Sequence, residues 1–555
     1  MAGFKTFLPF VAVFVILPCT WALEWWQTKV IYQIYPRSFM DYDGDGIGDL
    51  KGITQKLDHL KDLGVGAVWI SPIYKSPMED FGYDISNFRE IDPVFGTMDD
   101  FDDLQKRAKE LDIKLLMDFV PNDSSVEHEW FQLSLNRTDP YTDYYVWHDG
   151  RILENGTRVE PNNWQSVFSG SAWQWREERQ QYYLHQFAVH QPDLNHDSPF
   201  LVEEMKNVLR FWLDKGVDGF RMDAISWLFE GPVDDRPESE ITPPQNFPET
   251  YEAVVQWRKI LNNYTNLDGR VRFMMTEVSA NDTELVGFYG TSAAPGAHFP
   301  FNFWLIFAVN NESTAYDFRD TITRYMDLME GVHWPNWVLG NHDQHRVGSR
   351  FGAELVDAFN MLALLLPGTA VTYQGEEIGM LNTYVTWEQC LDPQGLYAGP
   401  QHYLERTRDL ERTPYQWDAT TSAGFSTNAT TWLPVNSNYK ELNLDAQKAT
   451  EKSHYWVYKK LVQLRQSQSI QYGDLQIVAF SEQIFAFSRS YPDSESYVVI
   501  VNLGSSVESV TIDSSIQTLY VRVASVQSMR NEGDEVEAIY FSMSPKEALV
   551  LSTSP

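Results

Sequence analysis

Short apolar stretches alternate with amphipathic stretches along most of the chain. Eight of the apolar stretches are typical of buried strands: "VIYQIYP", "AVWISPIY", "KLLMDFVP", "GVDGFRMDAI", "VRFMMTEV", "FPFNFWL", "NWVLGNHD" and "AVTYQGEEIGM". Segments with helical periodicity, such as "LVEEMKNVLRFWLDKG", stand between most of them. Strands that alternate with helices predict an α/β fold with a parallel sheet, and eight of them predict a (β/α)8 TIM barrel.

Two departures from this alternation divide the chain into regions. Residues 122–199 are rich in Trp, Tyr, Asn, Gly and Asp and contain no clear barrel helix, which predicts a subdomain inserted after the third strand. The tail alternates between apolar and polar residues, as in "LQIVAFSEQIFAFSRSY", and predicts an antiparallel β-sandwich domain. The predicted regions are a signal peptide (1–22), the barrel (23–121 and 200–472, with a long loop at 381–444), the inserted subdomain B (122–199) and the C-terminal β domain (473–555).

The N-terminus has the pattern of a secretory signal peptide. Lys5 precedes the apolar run "FLPFVAVFVILP", and small residues follow near Ala22. The run is too short and too interrupted by proline to favour a helix that spans a membrane, so no membrane span is visible. Cleavage after Ala22 would leave Cys390 as the only cysteine, and no disulfide framework is expected. The pattern predicts a secreted, extracellular protein.

Sequons for N-glycosylation agree with a secretory route. Six of them begin at Asn136, Asn155, Asn263, Asn281, Asn311 and Asn428. A further match begins at Asn122, but this residue ends a predicted buried strand and is discounted. We therefore expect the six asparagines to lie at the surface.

The net charge restricts the class of partner. The chain carries a formal charge of −34 and has an estimated pI of about 4.6. Nucleic acids and anionic membranes would be repelled, whereas a small neutral oligosaccharide or a cation would not. The charge can also serve solubility alone. Aromatic residues make up 14% of the chain, and their flat faces suit sugar rings, although core packing explains most of them individually. Oligomeric state is not indicated.

Charged side chains follow several of the predicted strands at their carboxyl ends. In a TIM barrel these ends form the active site. They carry Asp118, Asn122, Arg221, Asp223, Glu277, His342 and Asp343. A single aspartate at a strand end is usually a cap or turn residue, but the repetition favours a shared site. Clustered carboxylates suit cleavage of a glycosidic bond, in which one acts as nucleophile and another as general acid.

A metal-dependent hydrolase is the alternative chemistry for this cluster. His342 has no second histidine at ligand spacing, and the sequence contains neither an HExxH motif nor a cysteine pair. Glycosidic cleavage without a catalytic cofactor is therefore the preferred interpretation.

Several motifs resemble those of a known enzyme family. "QPDLN" (191–195), "GFRMDA" (219–224), "TEV" (276–278) and "GNHD" (340–343) resemble the signature regions of the α-amylase superfamily, glycoside hydrolase family 13. "TYQGEEIGM" (372–380), "RTPYQWD" (412–418) and "LPVNSNY" (433–439) resemble its α-glucosidase and oligo-1,6-glucosidase branch. The whole chain after the predicted signal peptide is most similar to the insect maltases, which implies secretion into the gut lumen or saliva.

The resemblance implies roles for individual residues. Asp223 matches the family's nucleophile, Glu277 its general acid/base, and Asp343 the third carboxylate that holds sugar hydroxyls. Arg221 matches a charge partner of the nucleophile and His342 a hydroxyl binder. The expected mechanism is a double displacement with retention through a covalent glucosyl-Asp223 intermediate.

The resemblance also implies how the substrate is held. Asp84 in "GYDIS" and Arg412 match the pair that grips the terminal glucose, which makes the site a closed pocket, and Tyr83 and Asp123 complete the expected substrate-binding residues. Ala224 follows the nucleophile, where branches that prefer α-1,6 bonds commonly have valine. Maltose, sucrose and short malto-oligosaccharides are therefore the expected substrates.

An acidic loop follows the first strand. "DYDGDGIGD" offers oxygen ligands in the order of a calcium loop, from Asp41, Asp43, Asp45, the Ile47 carbonyl and Asp49. Position twelve is Gly52, which argues against an EF-hand, and an Asx-turn with surface acids is the alternative. The family carries a structural calcium here, so a structural Ca²⁺ is expected.

Asp123 departs from the family, which usually has histidine at this position. An ionised aspartate only accepts hydrogen bonds, and it would raise the pKa values of the carboxyl groups nearby. We therefore expect a weakened but active enzyme, in which Asp123→His raises the activity.

Two other hypotheses for the function remain. One is a receptor-like carbohydrate-binding protein with little turnover. The other is a membrane-anchored heavy chain of an amino-acid transporter, which the absence of a full-length spanning segment in the sequence disfavours.

Overall fold

The computed structural model describes residues 23–329, 332–512 and 516–554. The predicted signal peptide at 1–22 therefore lies outside the described residues. Eight parallel strands form the central sheet, which confirms the predicted fold class. The strands are Ile31–Ile34, Ala67–Ile70, Lys114–Phe119, Gly219–Met222, Phe273–Thr276, Phe299–Pro300, Asn336–Val338 and Thr369–Tyr373.

The strands pair in the order of a barrel. Each pairs with the next along the chain from the first to the sixth, and the eighth strand pairs with both the first and the seventh. Side-chain hydrogen bonds join the two remaining edges: the Asn302 amide nitrogen donates to Asn336 Oδ1 at 2.9 Å, and Asn302 Nδ2 donates to the Asn336 carbonyl at 3.0 Å. These bonds close the barrel between its sixth and seventh strands.

Helices surround the barrel and pack through apolar faces. The long ones are Leu50–Leu63, Met98–Glu110, Pro199–Asp214, Pro248–Asp268, Ala315–Met329, Val356–Leu365 and His454–Leu464. Local sequence defines their ends: Asp49 accepts from the Gly52 amide at the start of the first of these helices, and Gly64 ends it with a φ of 85°, which glycine adopts at little cost. Thr97 and Asp100 form a capping box at the start of the next helix.

The region after the third strand forms a small subdomain above the barrel. It contains the helix Glu129–Leu135 and a three-stranded antiparallel sheet of Trp147–His148, Gln181–Leu184 and Trp173–Arg176. The Leu194 amide donates to the Asn122 carbonyl at 2.8 Å, and Asp123 and Asp193 form a β-bridge. The two ends of the subdomain are therefore joined at the rim of the barrel.

The C-terminal region is antiparallel. Its main sheet contains Asp474–Ala479, Ile484–Ser490, Tyr497–Asn502, Ala548–Ser552, Thr518–Ala524 and Glu535–Glu537, and a second sheet pairs Glu508–Val510 with Phe541–Met543. Ile500, Val510 and Phe541 pack in one apolar cluster that spans the two sheets. Arg489 donates to the Leu365 carbonyl at 2.8 Å, which attaches this region to the barrel.

The described surface is compatible with the predicted glycosylation. Five of the six sequon asparagines are exposed and Asn428 is half-buried, whereas Asn122 is buried. Cys390 is buried and unpaired. None of the helices in the described parts of the chain is both long enough and apolar enough to span a bilayer.

Candidate active site

Arg221 gathers three carboxylates at the carboxyl ends of neighbouring strands. It lies in the fourth strand, and the parallel register sets it beside Asp118 of the third. Its Nη1 donates to Asp118 Oδ1 at 2.8 Å and also contacts Asp223, while its Nη2 donates to Glu277 Oε2 at 2.6 Å. The guanidinium is buried, so three strands deliver one compact ionic cluster.

Burial and crowding raise the pKa of two acids in this cluster. Burial raises the pKa of Asp118 to about 6, against the opposing effect of Arg221. Burial also raises the pKa of Asp223 well above its usual range, and the charges of Glu277 and Asp118 add to this effect, although Arg221 again opposes it. One guanidinium is therefore shared among three acids.

A strained turn presents the predicted nucleophile. The Asp223 amide donates to the Phe119 carbonyl at 2.8 Å, and the next residue, Ala224, has a φ of 46° and a ψ of 32°. This left-handed conformation is costly for a residue other than glycine and is concentrated at functional sites. It directs the Ala224 amide to Glu277 Oε2 at 3.1 Å, so the turn orients both predicted catalytic carboxylates.

Asp343 follows the seventh strand and is held by two arginines. Its Oδ1 accepts from Arg412 Nη2 at 2.6 Å and from Arg408 Nη1 at 3.2 Å. Burial opposes ionisation, but the charges of Arg412 and Arg408 favour it, and the pKa of Asp343 lies well below its usual range. Asp343 is therefore a permanently charged group in the site.

His342 lies between the two groups of charges as a neutral ring. Burial lowers its pKa well below the usual value. Gln33 Nε2 lies 2.8 Å from Nδ1 and donates to it, which leaves the ring proton on Nε2, 2.6 Å from the Tyr83 hydroxyl. Tyr83 stacks on the ring at 5.4 Å between centroids and donates to Asp118 Oδ2 at 3.2 Å. Tyr83 thus links His342 to the Arg221 cluster.

The structure does not place the predicted glucose-binding pair, Asp84 and Arg412, in the lining of the cavity. Asp84 accepts from Ser76 Oγ at 2.9 Å and from two backbone amides at 3.0 Å, and it thereby shapes the loop rather than facing the site. Arg412 is fully buried behind Asp343, where its Nε donates to the His342 carbonyl at 2.6 Å. Both residues support the site without reaching its cavity.

Asp80 and Arg408 form an ion pair in the lining of the cavity. Asp80 Oδ1 lies 2.7 Å from Arg408 Nη2, and both side chains line the cavity. Arg408 is also anchored by Asp392 Oδ1 at 2.6 Å. In the sequence Asp80 stands four residues before Asp84, and Arg408 four residues before Arg412. The sequence pattern therefore offers two aspartates and two arginines for the pair, and only the folded loops show which of them reach the cavity.

The charged groups converge on one cavity of about 840 Å³. Its polar lining includes Asp80, Tyr83, Asp123, Gln191, Asp223, Glu277, His342, Asp343 and Arg408. The ion pair of Asp80 and Arg408 stands next to Asp343 at one part of the lining, and the Arg221 cluster carries the predicted catalytic pair. Paired carboxylates in a concave site can perform acid/base and nucleophilic chemistry on a sugar.

Asp123 lines the same cavity, but not as the ionised group expected from the sequence. It is buried and accepts one hydrogen bond, from Gln191 Nε2 at 3.3 Å. Burial raises its pKa well above the usual range, and the charges of Asp193, Asp223 and Asp80 add to the shift. The raised pKa favours the protonated form of the carboxyl group, which can donate a hydrogen bond, whereas the sequence led us to expect an ionised acceptor.

The acidic loop brings together only some of its predicted ligands. Carboxylate oxygens of Asp41, Asp43 and Asp49 all lie within 4.8 Å of one another. Asp45 is outside this group, and its Oδ1 accepts from the Ile47 amide at 2.7 Å. Three crowded hard oxygen donors fit a cation such as Ca²⁺, which would offset their mutual repulsion. Asp49 also caps the helix Leu50–Leu63 and so connects this group to the barrel.

Comparison with known proteins identifies the family. A family profile described as "Alpha amylase, catalytic domain" matches residues 33–473. The chain belongs to the α-amylase family of glycoside hydrolases. This confirms the resemblance found in the strand-end motifs.

Relatives within this family cover almost the whole chain. Maltase A1 of Drosophila melanogaster is 44% identical and aligns over 96% of each protein. The salivary alpha-glucosidase of Aedes aegypti is 46% identical over 90% of this chain and 89% of its own length. Among solved structures, the trehalulose synthase MutB from Pseudomonas mesoacidophila MX-45 is 34% identical, with a TM-score of 0.86 over 96% of this chain and 100% of its own.

Proposed function

We propose that the protein is a secreted α-glucosidase (maltase) that releases terminal glucose from maltose, sucrose and short malto-oligosaccharides. The observation that carries this proposal is the arrangement of Asp223 and Glu277 on one guanidinium, within a cavity that also contains the Asp80–Arg408 ion pair. Its similarity to maltases and α-glucosidases over nearly the whole chain supports the same conclusion.

The proposed reaction proceeds in two displacements. Asp223 attacks the anomeric carbon of the terminal glucose while Glu277 gives its proton to the glycosidic oxygen, so that the leaving sugar departs as an alcohol. Water then attacks the glucosyl-Asp223 ester, Glu277 accepts the proton of that water, and glucose is released with its α configuration retained. The first step uses a proton on Glu277 and an ionised Asp223, and the contact of Asp223 with Arg221 favours the ionised nucleophile.

Fixed charges position the sugar for this attack. Asp343, which its two arginines keep ionised, accepts hydrogen bonds from ring hydroxyls, and His342 donates through Nε2 once the substrate displaces its contact with Tyr83. Asp80 and Arg408 bind the hydroxyls at the non-reducing end and leave no passage for a further sugar. The enzyme therefore removes one glucose at a time. Ala224, small and at the cavity wall, favours α-1,4 over α-1,6 bonds by the resemblance noted above.

The accessory features of the proposal concern stability and export. Asp41, Asp43 and Asp49 would hold a structural Ca²⁺ that stabilises the loop at the start of helix Leu50–Leu63. Secretion is supported by the N-terminal sequence pattern, by the exposed sequons and by the salivary relative. Catalysis itself needs no cofactor.

Activity and stereochemistry test the proposal together. Purified protein is incubated with maltose, sucrose and isomaltose, and the anomer that forms first is observed by proton NMR. We expect α-glucose first, faster turnover of maltose and sucrose than of isomaltose, and loss of activity in Asp223→Asn. First release of β-glucose would refute retention. Binding of glucose without any turnover would instead favour the receptor-like protein.

A further inference from the structure

A row of aromatic side chains leads from the Arg221 cluster to the solvent. Arg221 lies 5.1 Å above the ring of Trp69, and the ring centroid of Phe301 lies 5.5 Å from that of Trp69. Phe303 follows at 5.4 Å from Phe301, and Phe307 at 6.0 Å from Phe303. Phe301 is 3% exposed, whereas Phe307 is 67% exposed. The row therefore begins in the core and ends at the surface.

The outer part of this row is held in place by the fold. Trp304–Phe307 is a single helical turn after the sixth strand, and the Trp304 amide donates to Asn302 Oδ1 at 3.0 Å. Leu305 and Ile306 are buried. Arg350 donates to their carbonyls at 3.3 and 3.4 Å. The exposed Phe307 ring thus stands on an anchored turn, and its exposure is not explained by a loosely attached segment.

The outer aromatics belong to the catalytic cavity. We call Phe303, Trp304 and Phe307 the aromatic rim; all three line the cavity that contains Asp223 and Glu277. The wall continues outward from Glu277 through residues 278–280 to Asp282. It therefore connects Glu277, the predicted acid/base that faces the leaving group, with the residues around the aromatic rim.

Charged partners accompany the rim. Arg324 lies 4.8 Å above the Trp304 ring and 2.6 Å from Asp282, and both charged residues line the cavity together with Asp320. Aromatic faces can cover the apolar face of a sugar, while a carboxylate and a guanidinium can bind its hydroxyls. This combination suits a neutral, flat, hydroxyl-rich ring rather than an ion or a lipid.

We propose that the aromatic rim is an outer leaving-group subsite that binds the third glucose unit of a malto-oligosaccharide. The proposal rests on the function proposed above. The terminal unit lies against Asp80 and Arg408, the second accepts the proton of Glu277, and the third stacks on Phe307 and Trp304 with its hydroxyls toward Asp282 and Arg324. A cavity of about 840 Å³ lies in the upper part of the usual range for ligand sites, about 300–1,000 Å³, and leaves room beyond a disaccharide.

The variant Phe307→Ala tests this subsite. Its side chain is mostly in solvent, so the fold is retained. We expect kcat/KM for maltotriose to fall about threefold to tenfold, the usual worth of one aromatic contact, while kcat/KM for maltose changes less than about twofold. The matched control is Phe200→Ala, since Phe200 is 64% exposed and lies outside the cavity lining. This control is expected to change neither value.

The outcomes separate this inference from the proposed function. An equal loss on both sugars, or no loss on maltotriose, overturns the subsite while glucosidase activity stands. Failure of the wild type to cleave maltose overturns the proposed function instead. In that case, calorimetry of maltotriose binding to the wild type and to Phe307→Ala still decides the subsite, because weaker binding to the variant supports it and equal binding refutes it.

Discussion

Replacing Asp123 tests whether the pocket uses a neutral carboxyl group where the family has histidine. Asn is the informative replacement, because its amide has nearly the same shape, donates hydrogen bonds and cannot ionise. Ala removes the polar group, and His restores the residue that is usual in the family. At pH 5–6 we expect Asp123→Asn to retain the wild-type kcat/KM within about threefold, since the amide can replace the protonated acid as donor.

The magnitude follows from one hydrogen bond to an uncharged hydroxyl. Such a bond contributes about 0.5–1.5 kcal/mol, which corresponds to about twofold to tenfold in rate. Asp123→Ala is expected to lose that factor. Asp123→His should gain activity, as the sequence predicts, but only by a few-fold at the most, since protonated Asp123 already supplies a donor.

The pH dependence has a defined sign. The folded-state pKa of Asp123 is raised above the usual value of about 3.9, so the group is protonated in the folded protein at pH values where the unfolded chain has lost that proton. The wild type therefore loses its donor as the pH rises through the folded pKa, whereas Asp123→Asn does not. The contribution of Asp123 to stability is fully present below about pH 4 and declines above it by about 1.4 kcal/mol per pH unit until the folded pKa is reached.

Steady-state kinetics on maltose between pH 4 and 9, with thermal melts at the same pH values, measure these effects. We expect the ratio of Asn-variant to wild-type kcat/KM to increase on the alkaline side, and the melting temperature of the variant to rise relative to the wild type above pH 4. Parallel pH profiles for the two proteins, or an Asn variant as weak as the Ala variant, would refute a proton on Asp123.

Two further predictions concern the corrected ligand pair and the acidic loop. Asp80→Asn should lower kcat/KM about 10-fold to 150-fold, because it replaces a charged acceptor for a sugar hydroxyl, whose hydrogen bond is worth about 1.5–3 kcal/mol. Asp84→Asn should mainly lower the melting temperature, because Asp84 binds backbone amides. The reverse pattern would restore the sequence-based assignment. Removal of calcium with a chelator should lower the melting temperature of the protein, and added Ca²⁺ should restore it. Asp43→Asn should abolish this response to calcium. An unchanged response in the variant would exclude Asp43 as a ligand.

The barrel and the cluster of carboxylates at its rim could be predicted from the sequence because both depend on local pattern. The strands are short apolar stretches, and parallel strands bring their carboxyl ends to one rim, so Asp118, Asp223 and Glu277 meet on Arg221 once the strand order is known. The strand-end residues therefore indicate the site before any distance is measured. Their meeting follows from the topology.

Other parts of the site depend on loops and burial, which the sequence pattern does not determine. Asp80 and Asp84 stand four residues apart in one loop, and only the fold shows that Asp84 binds backbone amides while Asp80 faces Arg408. The raised pKa of Asp123 depends on its burial and on the charge of Asp193, which is distant in sequence and joined to it by a β-bridge. Loop register and desolvation are the two properties that the sequence left open.

The charged groups of the pocket form two regions, which differ in the number of arginines that face each acid. The acids of the site outnumber its arginines, so not all of them can be ionised in a buried space. The charges of Arg408 and Arg412 lower the pKa values of both Asp343 and Asp392, against the opposing effect of burial. Arg221 faces three acids, and there burial raises the pKa of Asp223 and Asp118. Under the proposed function, the sugar is held by Asp343, whose charge two arginines stabilise, while catalysis uses the cluster in which three acids share one arginine.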